Sequence, residues 1–178
     1  MKRIAIYISV ILAILSFNNG EKKSGETVIY IVRHAEKDTS NLKNPDPGLT
    51  SQGRERAKAL ALILKRKKLA AVFSTTYKRT TETAAPAAQR SGLPVMNYIN
   101  ADQLVNLIKS SWQNKTILIV GHSNTVLEIA KGLGAHPPIQ ILRDDDYDFL
   151  FKVTIDKNGD SDLKITRFGK VQHSTKFP

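Results

Sequence analysis

From residue 25 onward, short continuous apolar runs alternate with longer stretches in which apolar residues recur every three or four positions. The runs at 28–32, 70–73 and 116–120 lack the polar alternation of a half-exposed strand, so they read as strands buried on both faces. Residues 95–99 read as a further strand, third in chain order. A helix is predicted from Thr50, its N-cap, to about Lys68. Ala57, Leu60, Ala61 and Leu64 share one stripe of it, and Lys65, Arg66, Lys67 and Lys68 suit its negative end. A second helix spans about 77–90, with Gly92 as its stop. Pro86 falls inside it and should kink or divide it. A third helix is predicted over 102–111. A fourth follows a turn at 121–125, with Val126, Ile129, Ala130 and Leu133 on one face and Gly134 closing it. Residues 38–48 carry Asn, Pro, Asp and Gly and read as a loop. In the tail, apolar segments at 149–155 and 163–168 flank residues 156–160, whose Asn158-Gly159 pair marks a hairpin. Strands alternating with helices predict an α/β fold. The expected form is a three-layer αβα sandwich with a mainly parallel sheet and a C-terminal antiparallel hairpin at its edge.

Residues 1–20 break this pattern. Lys2 and Arg3 precede an uncharged apolar run over 4–17, and polar residues follow. That order matches a secretory signal, and the run is shorter than the ~20 apolar residues of a membrane span. No small-x-small cleavage site stands at 16–20, so an uncleaved N-terminal anchor is the alternative. The expected organisation is a signal peptide or anchor over 1–20, a polar linker over 21–26 and one domain over 27–178. Export to the periplasm or beyond is implied, without stable membrane insertion once the signal is cleaved. The chain has no cysteine. Disulfides, thiolate metal sites and cysteine nucleophiles are therefore excluded, and stability must come from packing.

The formal charge is +11. Removing residues 1–20, which hold Lys2 and Arg3 and no acid, lowers it by two to +9. Such a surface attracts anionic partners. The basic residues are scattered and no nucleic-acid motif accompanies them, so no nucleic-acid partner is expected.

The residues with chemistry to offer fall at strand ends. Arg33 and His34 end the first strand, Arg79 opens the helix after the second, and His122 follows the fourth. In open parallel sheets ligands bind outside the carboxyl ends of the strands. Two guanidinium groups there suit a phosphoryl group, which they can grip through planar, permanently charged donors. A neutral imidazole is a competent nucleophile near pH 7, and nearby arginines keep it neutral. His34 is thus the candidate nucleophile, with Arg33, Arg79 and His122 as the phosphate pocket. His122 could donate to a phosphoryl oxygen. No metal and no cofactor is expected, and the partner would be a small phosphorylated substrate or a phosphoprotein.

The same residues carry a resemblance. Ile31-Val32-Arg33-His34-Ala35-Glu36 resembles the signature of the histidine phosphatase superfamily, the phosphoglycerate mutase-like group. Where the signature usually has Gly directly after its arginine and histidine, this chain has Ala35, a replacement that resembles the small exported and phosphohistidine-phosphatase-like members. Leu49-Thr50, Gly53 and Ala57 resemble the stretch after the nucleophile. Residues 74–84, with Arg79, Thr83 and Ala84, resemble the second-arginine segment, and Val120-Gly121-His122-Ser123-Asn124 the second-histidine segment. The resemblance runs from about residue 28 to beyond 133. It implies a phosphohistidine on His34, a pocket of Arg33, Arg79 and His122, and a tolerated Pro86.

A general acid for the leaving oxygen is not evident. Asp102, Glu36 and the group Asp144, Asp145, Asp146 and Asp148 are the available carboxylates. Asp102 reads more simply as a helix N-terminal residue, and the aspartate group as a solvated loop. Without an acid, the substrate needs a good leaving group. His136 and His173 read as surface residues, and Trp112 as a core or cap residue. The alternatives to a phosphatase are a phosphomutase, a hydrolytic metalloenzyme and an envelope protein that binds phosphorylated ligands without turnover.

Overall fold

The structure is a computed structural model that describes residues 25–175. The expected signal or anchor over 1–20 and most of the linker lie outside the described residues. Ten elements follow in chain order: β1 (Thr27–Arg33), α1 (Ser51–Leu64), β2 (Ala71–Ser74), α2 (Lys78–Ser91), β3 (Val95–Asn97), α3 (Ala101–Ser111), β4 (Thr116–Gly121), α4 (Thr125–Gly132), β5 (Phe149–Ile155) and β6 (Ser161–Arg167). The six strands form one sheet in the order β3-β2-β4-β1-β5-β6. β3, β2, β4 and β1 run parallel, while β5 is antiparallel to β1 and β6 to β5. β5 is thus an inner strand and β6 alone of the hairpin forms the edge.

Alternate residues of each central strand face opposite layers. Val28, Tyr30, Val32, Val72, Leu118 and Val120 pack with Leu60, Ala61 and Leu64 of α1 and Ala84, Ala87 and Ala88 of α2. Ile29, Ile31, Phe73, Ile117 and Ile119 pack with Leu104 and Ile108 of α3 and Val126 and Ile129 of α4. Both faces being covered explains why these runs are continuously apolar.

Several boundaries differ from expectation. α1 ends at Leu64, and the basic residues 65–68 form a turn in which Lys68 has φ 49°. β3 stops at Asn97 because Tyr98 turns into the core and donates to the Val120 carbonyl, leaving Ile99 exposed. α2 runs unbroken through Pro86. It ends as expected at Gly92, whose φ of 66° admits the paired bonds Gly92 N–Gln89 O and Leu93 N–Ala88 O that cap the helix. β6 begins two residues earlier than the hydrophobic pattern suggested. Trp112 serves as both cap and packing residue, closing α3 and meeting Phe73 edge-on. Among the described residues no helix is long and apolar enough to cross a membrane.

Candidate active site

β1 is buried along its whole length and delivers Arg33 and His34 to the carboxyl edge of the sheet. The His34 amide donates to the Gly121 carbonyl (2.9 Å), which laces the exit of β1 to the end of β4. A Cβ on Gly121 would stand 2.7 Å from Thr125 Oγ1 and 2.8 Å from the Tyr98 hydroxyl. A side chain there would have to displace both hydroxyls, so glycine permits the close packing at the end of β4 just before His122. β2 ends at Ser74, and Arg79 is the second residue of α2. The Ala35 amide donates to Thr83 Oγ1, so α2 also pins the loop that carries His34.

His34 is buried, and its Nδ1 lies 2.8 Å from the Ala35 carbonyl. A carbonyl can only accept, so Nδ1 carries the proton and Nε2 keeps its lone pair. The ring centroid lies 5.5 Å from that of His122, edge to face, and 6.0 Å from that of Tyr147. His122 Nε2 lies 2.9 Å from Thr75 Oγ1, and Tyr77 packs edge-on against the same ring. Burial pushes His34 down to about 3, helped by the charges of Arg33, His122 and Arg79 and opposed by the Ala35 hydrogen bond. Burial, then Arg79 and Arg33, pushes His122 down to about 4. Both guanidinium groups therefore act on both imidazoles, as four groups around one locus must.

Each arginine leans on a tyrosine. The Arg33 guanidinium lies 4.5 Å over the Tyr147 ring, and its Nη1 donates to the carbonyls of Arg143 (2.6 Å) and Asp144 (3.1 Å). Arg79 lies 4.3 Å over Tyr77, with the Asp46 carboxylate 3.8 Å away. Arg33 Nε and Arg79 Nε are buried without a hydrogen-bond partner in the protein, the two such side-chain atoms among the described residues. Buried donors of this kind are costly unless paired, and an oxyanion is the acceptor a guanidinium suits best.

Residues 29–100 match the family described as the histidine phosphatase superfamily (branch 1). Over that segment the chain is similar to the histidine phosphatase superfamily. A curated relative, phosphoserine phosphatase 1 of Hydrogenobacter thermophilus, is 30% identical over 93 residues. The match covers 50% of this chain and 43% of that protein, so the chain spans under half of the relative's length. In fold, the chain is similar to a mycobacterial glucosyl-3-phosphoglycerate phosphatase. The TM-score is 0.60 at 14% identity, covering 80% of this chain and 98% of that one. It is also similar to the protein histidine phosphatase SixA complexed with tungstate, with a TM-score of 0.60 at 18% identity, covering 83% and 96%. The superfamily match covers Arg33, His34 and Arg79, while His122 falls beyond it.

Three of the carboxylates expected as rival acids, Glu36, Asp146 and Asp148, are bound to other partners. Glu36 is clamped by Arg56, whose Nη2 lies 2.6 Å from Oε1, and takes a further bond from Gln52. Burial alone would raise its carboxyl, yet these partners hold it below the usual carboxylate range. Asp148 is gripped by Arg167 (2.7 Å) and His173 (2.6 Å), and Asp146 by Thr175 and backbone amides. Burial opposes ionisation in both, and the hydrogen bonds prevail, so both are lowered. All three are thereby kept as anions near neutral pH, the wrong form for donating a proton. The aspartate group is thus no solvated loop: Asp146 and Asp148 are buried, while Asp144 is exposed beside Arg33. Asp102 occupies the exposed first turn of α3. His136 is exposed as expected, but His173 is half-buried against Asp148. No group of three or more His, Cys, Asp or Glu side chains suited to a metal ion occurs among the described residues.

Sequence reading missed Tyr77, Tyr147, Thr75 and Arg56. Only Arg56 left a trace, as a charge on the apolar stripe of α1 beside Ala57, Leu60 and Ala61, where an unpaired guanidinium is not tolerated.

The lowered histidines fix the sign of the pH response. An imidazole that stays neutral on folding contributes stability above its ordinary value of 6.5, and this is lost as pH falls toward the native values of about 3 and 4. Urea midpoints should therefore fall from pH 7 to pH 4.5, and by less in His34→Phe. The acid limb of kcat/KM, once the substrate's own phosphate ionisation is divided out, should lie near 4 or below. An enzyme limb at 6.5 would contradict this account.

Proposed function

We propose that the chain is a metal-independent phosphatase working through a covalent phosphohistidine on His34. In the first step the Nε2 lone pair attacks phosphorus, an N–P bond forms, and the P–O bond to the leaving group breaks. In the second, water attacks phosphorus, the N–P bond breaks, inorganic phosphate leaves, and the water proton passes to solvent. Arg33 and Arg79 stabilise the equatorial oxygens throughout, and His122 hydrogen-bonds a phosphoryl oxygen.

One observation carries this reading: two buried guanidinium Nε donors without protein partners stand beside an imidazole whose Nε2 lone pair is free. The superfamily match and the phosphatases named among its relatives support it. With Glu36, Asp146 and Asp148 held as anions, the reading favours substrates whose leaving group departs without a proton, among small phosphorylated molecules or phosphoproteins. Export to the periplasm or beyond, from the pattern of residues 1–20, is part of the same proposal.

Rapid acid-free quench of the full chain with 32P-labelled substrate tests it. Base-stable, acid-labile phosphate should appear on His34, and turnover of p-nitrophenyl phosphate should survive EDTA. EDTA-sensitive turnover without a phosphoenzyme would overturn the proposal in favour of metal-assisted hydrolysis.

A further inference from the structure

Residues 135–148 join α4 to β5 without regular secondary structure, yet their carbonyls at Arg143 and Asp144 hold Arg33 Nη1. Both of those residues are exposed, so the grip is only as firm as the turn that presents it. Asp146 closes that turn. Its Oδ2 accepts from the Arg143 amide at 2.6 Å, and its own amide donates to the Arg143 carbonyl. The carboxylate also collects the amides of Ser174 (3.1 Å) and Thr175 (3.0 Å) and the Thr175 hydroxyl (2.5 Å). Asp146 is wholly buried, and these four donors are three backbone amides and one hydroxyl.

The neighbouring residues tie the same two segments together. The Tyr147 amide donates to the Gln172 carbonyl, and its ring supports the Arg33 guanidinium. Asp148 binds His173 and the Gln172 amide, and Ser174 Oγ donates to Asp145. Gln52 bridges Gln172 to Glu36, two residues past the nucleophile. Residues 172–175 therefore lie across the turn that grips Arg33, joined to it by a carboxylate that would be costly to bury for packing alone.

We infer that Asp146 is a positioning residue for the phosphate pocket: it closes the 143–146 turn, draws residues 174–175 over it, and so fixes the two carbonyls and the tyrosine that orient Arg33. Asp146 acts through Arg33 and does not touch the substrate. This inference rests on the phosphatase reading above.

The test uses the full chain, p-nitrophenyl phosphate turnover, and the rise in Tm given by inorganic phosphate, which needs no turnover. Asp146→Asn should raise KM and weaken phosphate binding by about tenfold or more, the scale of lost charge-assisted hydrogen bonds, while kcat falls less. Thr175→Val removes one donor and should act in the same direction; Thr175→Ser, which keeps the hydroxyl, should restore phosphate affinity to within about twofold. The deciding comparison is a cycle with Arg33→Ala, in which adding Asp146→Asn should change phosphate affinity by less than about twofold, because the group it positions is gone. Equal losses with and without Arg33 would overturn the inference and leave Asp146 a general stabiliser, as would unchanged affinity in both Asp146→Asn and Thr175→Val. Absence of any His34-dependent turnover in the parent chain would instead sink the phosphatase reading, with the phosphate-binding cycle still deciding the role of Asp146.

Discussion

His34→Ala is expected to lower kcat for p-nitrophenyl phosphate by ~10^4-fold or more, because it removes the Nε2 lone pair proposed to attack phosphorus. The Nε2 of His122 already meets Thr75, and Arg33 and Arg79 can donate but never attack. KM should change far less than kcat, since both arginines keep the ground-state phosphate in place. A single-turnover experiment on this variant should show no acid-labile phosphate. Turnover within tenfold of the parent, or a phosphoenzyme that persists without His34, would remove the nucleophile from the proposal.

The largest effect on stability should come from Arg56→Met. The Arg56 side chain is 1% exposed and that of Glu36 11%, so neither charge can turn to water when the other is lost. Arg56 Nε lies 3.0 and 3.1 Å from the two carboxylate oxygens, and Nη1 holds the Phe168 carbonyl at 2.8 Å. Methionine fills much of the same volume but strands a buried carboxylate, a cost of about 3–5 kcal/mol. In a chain of this size that lowers Tm by roughly 10 °C. Adding Glu36→Gln should recover part of the loss, since the stranded group then carries no charge. The native Glu36 carboxyl is lowered, so its stabilisation is present above the unfolded value of 4.5 and is lost as pH falls through the native one. The gap between parent and Arg56→Met should therefore narrow in acid. A Tm within about 2 °C of the parent at pH 7 would show that the pair contributes little.

The strands were legible because burial on both faces writes itself as unbroken apolar runs, as in β1 and β4. Helix caps were legible too: Thr50 accepts from the Gly53 amide, and Gly92 adopts the left-handed conformation for which glycine is suited. The short β3 was overextended for a physical reason, since Tyr98 and Ile99 look alike in a hydropathy pattern while one enters the core and the other faces solvent. Pro86 does not divide α2, in keeping with the tolerance that the resemblance implied. It forfeits one backbone hydrogen bond, but packing of Ala84, Ala87 and Ala88 against the sheet keeps α2 continuous.

The candidate pocket divides along the same line. Arg33, His34, Arg79 and His122 could be singled out because parallel strands deliver their ends to one edge, a consequence of local pattern and connection order alone. Local pattern also foretold the three layers and the hairpin. Which carboxylates stay ionised, which ring nitrogen of His34 is free, and which tyrosine supports which arginine depend on partners tens of residues away. Asp146 and Asp148 read as solvated charges in the sequence, but residues 172–175 close over them. A residue's periodicity reports its own secondary structure, but its charge state and orientation are set by neighbours that only tertiary packing brings within a few ångströms.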